Sequence, residues 1–209
     1  MKIGILGGGN VGGALGVGWA KHGHQIVFGV RDPAAADTQA MVAQCNGRAT
    51  VGIAADAAGF GEVVVNALPW PATQAVLTSL DLRGKTLLDA TNPFLPSLAG
   101  IEVGTTTSGG ELVSQWAAGA HVVKIFNTTG ANNMANPVYS GEPIPMFYCG
   151  DNADAKTTAA ALAKDLGFAP VDVGPLSNSR VLEPLALLWV WLAYPGGLGR
   201  EFAFQIVKR

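Results

Sequence analysis

The chain opens with KIGILGGGNVGG, an apolar run of strand type followed at once by glycines and then by a stretch of helical pattern. Glycine loses more conformational freedom on folding than any other residue. Six glycines in twelve positions must therefore serve where the backbone needs positive φ or lies against a neighbour with no Cβ between. A strand, a G-x-G-x-x-G turn and a helix in immediate succession read as the phosphate-binding half of a βαβ unit. In such a unit Gly7 permits the tight turn, Gly9 lets the backbone approach a pyrophosphate across Gly8, and Gly12 lets helix and strand pack closely. The amides of Asn10 and Val11 then face the phosphates from the positive end of the helix. The plainer reading is a glycine turn with no ligand.

The rest of the chain repeats the alternation. HQIVFGV, ATVGI, EVVVNAL, KTLLDA and HVVKIF read as strands, with helices expected over 10–22, 33–45 and 71–80. Strands apolar on both faces, recurring with helices between them, predict a parallel sheet covered on both sides. The expected fold is α/β, a Rossmann-type doubly wound parallel sheet. SGGELVSQWAAGA starts a helix with Ser108 as N-cap and Glu111 three residues on, a capping box. PMFYCG, a helix over 152–166 and FAPVDVG add one more strand–helix–strand unit, after which Ser177 is the expected cap of a long terminal helix. With no repeat and no linker, residues 1–174 form the expected nucleotide-binding domain. Residues 175–209 form a small C-terminal helical segment, packed on that domain or at a dimer interface.

Composition narrows the partners. The chain is 49% hydrophobic and 13% charged, a balance that predicts apolar surface hidden by a second subunit or a cofactor. A homodimer is expected through the helix over 183–194, where Leu185, Leu188, Trp189 and Leu192 recur at helical spacing; intramolecular core is the rival. The net charge of -2 and the lack of any basic run argue against nucleic acid. Cys45 and Cys149 lie far apart and outside any C-x-x-C pair, so neither a metal site nor a disulfide framework is expected, and a reduced, cytoplasmic setting is. No export signal is read at the N-terminus. The most apolar segment, Pro184 to Gly199, is broken by Pro195 and three glycines and falls short of the ~20 residues that span a bilayer, so no membrane is expected.

The second strand decides the cofactor. NAD enzymes place an Asp or Glu on the ribose hydroxyls about 20 residues beyond the glycines. Here FGVRDP puts Val30 at that point and Arg31 after it. The acid that would repel a 2′-phosphate is absent, and a guanidinium able to stack on adenine and pair with the phosphate is present, which favours NADP. Asp32, one residue further, keeps an acid within range, and a solvated loop arginine is the plainer reading of Arg31.

NALPWPATQAVL, DATNPF, TTTSGGE, HVVKIFNTTG and VDVGPLSNSRVLEPLALLW, in that order, resemble the deazaflavin-dependent NADP reductases, which move hydride between NADP and coenzyme F420. The same family looks like the cytoplasmic oxidoreductase domain of the STEAP metalloreductases. The resemblance implies a Rossmann domain, a homodimer and a second redox carrier stacked on the nicotinamide: F420, a flavin or a similar planar molecule. Ala67, Leu68 and Pro69 would flank the nicotinamide ribose, and Asn92 would hydrogen-bond near the nicotinamide or shape a turn. Trp70 would line the second ring's pocket or simply pack. Asn127 and Thr129 would lie beside that ring, where the family carries a histidine and an aliphatic residue. The glycine loop is also one residue shorter than the family's, and Val30 replaces a hydroxyl before the arginine.

No catalytic residue is expected, because hydride transfer between stacked rings needs proximity and orientation more than a protein acid or base. His22, His24 and His121 sit at element ends and suggest no triad. Two other functions fit the N-terminal half: a reductase or dehydrogenase of small hydroxy acids or imines, and a non-catalytic NADP-binding sensor. The first generally adds a large helical domain, and only about 35 residues follow VDVG.

Overall fold

The computed structural model describes all 209 residues. Its elements run β1 (Lys2–Leu6), α1 (Asn10–Lys21), β2 (Gln25–Gly29), α2 (Ala36–Ala43), β3 (Ala49–Gly52), α3 (Ala54–Phe60), β4 (Val63–Asn66), α4 (Trp70–Thr78) and β5 (Thr86–Asp89). They continue with α5 (Gly109–Trp116), β6 (His121–Lys124), α6 (Ala131–Ala135), the short pair β7 (Val138–Tyr139) and β8 (Glu142–Pro143), β9 (Pro145–Gly150), α7 (Ala153–Asp165), β10 (Ala169–Asp172) and α8 (Ser179–Ala193).

Eight strands form one sheet in the order β10-β9-β6-β5-β4-β1-β2-β3. The six from β3 to β6 are parallel, as the alternation predicts. β9 departs from that pattern. It pairs antiparallel with β6, and β10 runs parallel to β9. Between β6 and β9 the chain holds only the five-residue α6 and the β7-β8 hairpin, not the crossover helix that returns a strand in parallel.

Burial on both faces explains the apolar strands. On β4, Val63 and Val65 join the core on the side of α1 and α7 with Ile5, Trp19, Phe28 and Leu162, while Val64 joins Leu77, Leu87, Val113 and Val122 on the other. Ser108 caps α5 as expected, accepting from the Glu111 amide at 3.2 Å and donating to its carboxylate at 2.7 Å.

Three local expectations change. α2 is shorter than 33–45 because residues 32–35 form a turn, with the Ala34 amide donating to Asp32 Oδ1 at 3.0 Å. Ser177 does not cap α8: it lies in a 3-10 turn, Leu176–Asn178, ahead of the helix. The stripe of Leu185, Leu188, Trp189 and Leu192 on α8 straddles the boundary between its buried and exposed sides. Trp189 is buried within the chain alongside Leu182, Ala186 and Ala193, whereas Val181, Leu188, Trp191 and Tyr194 are exposed. No helix is long and apolar enough to cross a membrane.

Candidate functional site

The strand order reverses between β1 and β4, and ligands of doubly wound sheets bind outside the carboxyl ends of the strands at such a switch point. The glycine loop leaves β1 there. Gly7 holds φ +103°, a conformation that side chains rarely adopt, and a Cβ on it would meet the Ala67 carbonyl at 2.7 Å. A Cβ on Gly12 would collide with the Gly7 carbonyl, while one on Gly8 would meet Val30 Cγ1 at 2.9 Å. Gly9 differs, since a Cβ on it would face open space. The loop is thus forced to be glycine by its own packing at Gly7 and Gly12, and open at Gly9. Gly9 is also the N-cap of α1, with no side-chain cap and no acid in the first turn. An uncapped helix start beside an open backbone fits an anionic group such as a pyrophosphate.

Val30 follows β2, its amide donating to the Gly52 carbonyl at 3.0 Å. Arg31 is exposed and belongs to none of the chain's ion pairs. Ala67, Leu68 and Pro69 form the turn from β4 into α4, with Pro69 as its N-cap and the Ala67 amide on the Leu6 carbonyl at 3.0 Å.

Beside the loop lies a cavity of about 480 Å³. Asn10, Val11 and Ala14 of α1 form one side, Ala90, Asn92, Phe126, Asn127 and Thr129 the floor beyond β5 and β6, and α6, α8 and the C-terminal segment the rest. Five predicted site residues, Asn10, Val11, Asn92, Asn127 and Thr129, therefore meet on one wall system. Trp70 does not join them. Its ring lies 5.2 Å from that of Trp116, and its Nε1 donates to Glu102 at 2.7 Å, so it packs on the α4 and α5 side of the sheet. A hollow of about 550 Å³ between α7 and the β9-β10 edge, lined by Lys156 and Asp172 paired at 2.8 Å, is away from the glycine loop.

The floor is tightly built. Asn92 Nδ2 donates to the Asn127 carbonyl at 2.9 Å, and Asn127 Nδ2 donates to Asn92 Oδ1 at 3.0 Å. Thr129 Oγ1 accepts from Asn133 at 2.8 Å. Phe126, fully buried, takes φ +64°, a conformation costing a bulky residue about 1–3 kcal/mol. Its ring is held edge-on to Trp19 at 5.7 Å, and its strained backbone delivers Asn127 to the cavity. The side-chain oxygens of Asn127 and Asn132 are buried with no partner.

Beneath the floor, Lys124 Nζ lies 2.7 Å from Asp89 Oδ2, 3.0 Å from Glu183 Oε1 and 2.7 Å from the Thr91 carbonyl. All three side chains are shut off from solvent. Glu183 accepts the first two amides of α5, Gly109 and Gly110, at 2.9 Å each, and Asp89 accepts from Asn66 and Thr91. Burial works against the lysine charge, but the two carboxylates outweigh it and raise the Lys124 pKa. This network ties α8 to the strand ends that carry Asn92 and Asn127. Sequence reasoning missed it, although an Asp and a Lys near the ends of consecutive apolar strands were a visible signal.

Comparison with known proteins gives the family. The family model for NADP oxidoreductase, coenzyme F420-dependent, matches residues 2–93. A solved structure from Arthrobacter sp. FB24, provisionally named an F420-dependent NADP reductase, is 30% identical, with a TM-score of 0.88 and 100% of both chains covered. Metalloreductase STEAP3 of Rattus norvegicus is 28% identical over 193 residues, which is 91% of this chain and 38% of that protein. The chain thus spans less than half of that relative's length. A reductive aminase from Aspergillus terreus shares the fold over 94% of this chain and 62% of its own, at 21% identity and a TM-score of 0.67. The 30% identity to the Arthrobacter structure over the whole of both chains, together with a glycine loop shaped for a dinucleotide, places this chain in the coenzyme F420-dependent NADP oxidoreductase family, as an NADP-dependent oxidoreductase.

Proposed function

We propose that the chain transfers hydride between NADP(H) and a planar acceptor, a deazaflavin such as F420 or a flavin, held in the cavity beside the glycine loop. The observation that carries this reading is the cavity's lining: apolar, aromatic and amide side chains with one arginine, and no carboxylate or histidine among them. Such walls orient a ring and exclude water but offer little acid–base chemistry, which suits hydride transfer between stacked rings.

In this reading Gly7, Gly8, Gly9, Asn10 and Val11 hold the pyrophosphate, and Ala67, Leu68, Pro69 and Asn92 flank the nicotinamide ribose and ring. Val30 and Arg31 receive the adenosine end, where Arg31 pairs with the 2′-phosphate. The Ala34 amide donates to Asp32 Oδ1, which draws that side chain into its own turn. Asn127 and Thr129 present amide and hydroxyl groups to the acceptor, a role that Trp70 does not share because it packs elsewhere. Bound NADPH supplies the hydride. The acceptor takes that hydride and one proton from water, leaving NADP⁺.

Residues 1–174 then bind the cofactor, and 175–209 supply the outer wall of the acceptor site. The exposed apolar face of α8 supports a homodimer, and the two free, buried cysteines support a reducing, cytoplasmic setting. NADPH oxidation on addition of a flavin or deazaflavin tests the function. A cofactor-binding sensor would bind NADPH and show no turnover.

A further inference from the structure

The cavity carries one cation. Arg200 lines it, on the segment that follows α8, and belongs to none of the chain's ion pairs. Its backbone is nevertheless fixed. The Arg200 carbonyl accepts from Asn132 Nδ2 at 2.7 Å, and the Phe202 carbonyl accepts from Asn133 Nδ2 at 2.9 Å and from Trp189 Nε1 at 3.2 Å. The Phe202 ring stacks on Trp189 at 5.2 Å and 16°. The adjacent Glu201, the obvious internal partner for the guanidinium, instead accepts from Asn132. A pinned backbone thus holds an exposed arginine with no ion-pair partner at the edge of a cavity whose lining has no acid.

We propose that Arg200 is a specificity residue that selects acceptors carrying an oxyanion, phosphate or carboxylate, over neutral molecules with the same ring. The inference rests on the reading of this cavity as the acceptor site. A guanidinium matches both oxyanions in fork geometry, and a fixed donor loses little freedom on pairing. The glycine loop already offers its amides to the cofactor's pyrophosphate, which leaves Arg200 for the second molecule.

Three flavins test this: riboflavin, FMN and a 10-carboxymethylflavin, which share one ring and differ in charge. Each is titrated into wild type, Arg200→Gln and Arg200→Lys loaded with NADP⁺, and each is then used as acceptor for NADPH oxidation. Wild type is expected to bind both charged flavins about tenfold more tightly than riboflavin. Arg200→Gln should remove the difference, and Arg200→Lys should retain part of it. Equal affinity for riboflavin and FMN in wild type overturns the inference, as does a proportionate loss of both in Arg200→Gln. Weaker NADPH binding in Arg200→Gln also overturns it, by putting the guanidinium on the cofactor. If flavins are bound and reduced without charge preference, the inference fails alone and the acceptor reading stands. If no flavin binds to protein that binds NADPH, the inference fails, and the flavin half of the acceptor reading fails with it.

Discussion

Asp89 and Lys124 are register partners on the adjacent parallel strands β5 and β6, their carboxylate and ammonium 2.7 Å apart with both side chains fully buried. Removing one partner of a buried charge pair leaves the other uncompensated, which typically costs about 3–5 kcal/mol. Lys124→Met would strand both Asp89 and Glu183. We expect a loss of that size in urea unfolding, and a loss under ~1 kcal/mol would show that the network is not stabilising as drawn. The raised Lys124 pKa also sets a sign. Its contribution is complete below the usual lysine value and is lost as pH rises through the raised one, so wild type should weaken at strongly alkaline pH and Lys124→Met should lack that component.

Glu111 predicts the acid limb. Arg180 Nε and Nη2 grip its carboxylate at 2.8 and 2.6 Å, and that bonding holds its pKa below the usual range. The pair therefore contributes above the usual glutamate value and is lost as pH falls through the lowered one. Unfolding midpoints measured from neutral pH downward should fall less steeply for Glu111→Gln than for wild type. Parallel curves would remove Glu111 from the account.

Much of the fold was legible. β1 was read to the residue because a buried parallel strand is apolar on both faces and the glycines mark its end. Ser108 and Glu111 announced the start of α5 through capping chemistry alone. What escaped was what depends on tertiary partners. The short α3 and α6 carry too few residues for a period, and the reversal of β9 follows from the missing crossover helix. The inward side of α8 was not legible because Leu and Trp recur around most of its circumference, and it is the burial of Leu182, Ala186, Trp189 and Ala193, with Trp189 stacked on Phe202, that shows which side faces in. Of the site, the glycine loop and the floor residues Asn92, Asn127 and Thr129 were visible, while Arg200 was not, since it reaches the cavity through a C-terminal segment without regular structure.

Cofactor choice is tested at Arg31. A charge-assisted bond to the 2′-phosphate is worth roughly 1.5–3 kcal/mol, so Arg31→Ala should lower NADPH affinity about tenfold or more with little change for NADH. Equal losses for the two cofactors, measured by fluorescence titration, would defeat the assignment.

The exposed face of α8 gives a sharper test of association. Leu188 and Trp191 are about half exposed, at 48% and 52%. Sedimentation should show a dimer at micromolar concentration and a monomer for Leu188→Glu with Trp191→Glu. A wild-type monomer would leave this surface without its expected partner.

We expect direct hydride transfer beside Asn127 and Thr129. NADPH deuterated at nicotinamide C4 and a deazaflavin acceptor test it, because the acceptor carbon keeps the label that a flavin nitrogen would exchange with water. Mass spectrometry of the product should find deuterium on the reduced ring in proportion to NADPH consumed, when the transferred face is the labelled one. NADPH that binds with the expected preference over NADH yet passes no label from either face, to deazaflavin or F420, would contradict the account.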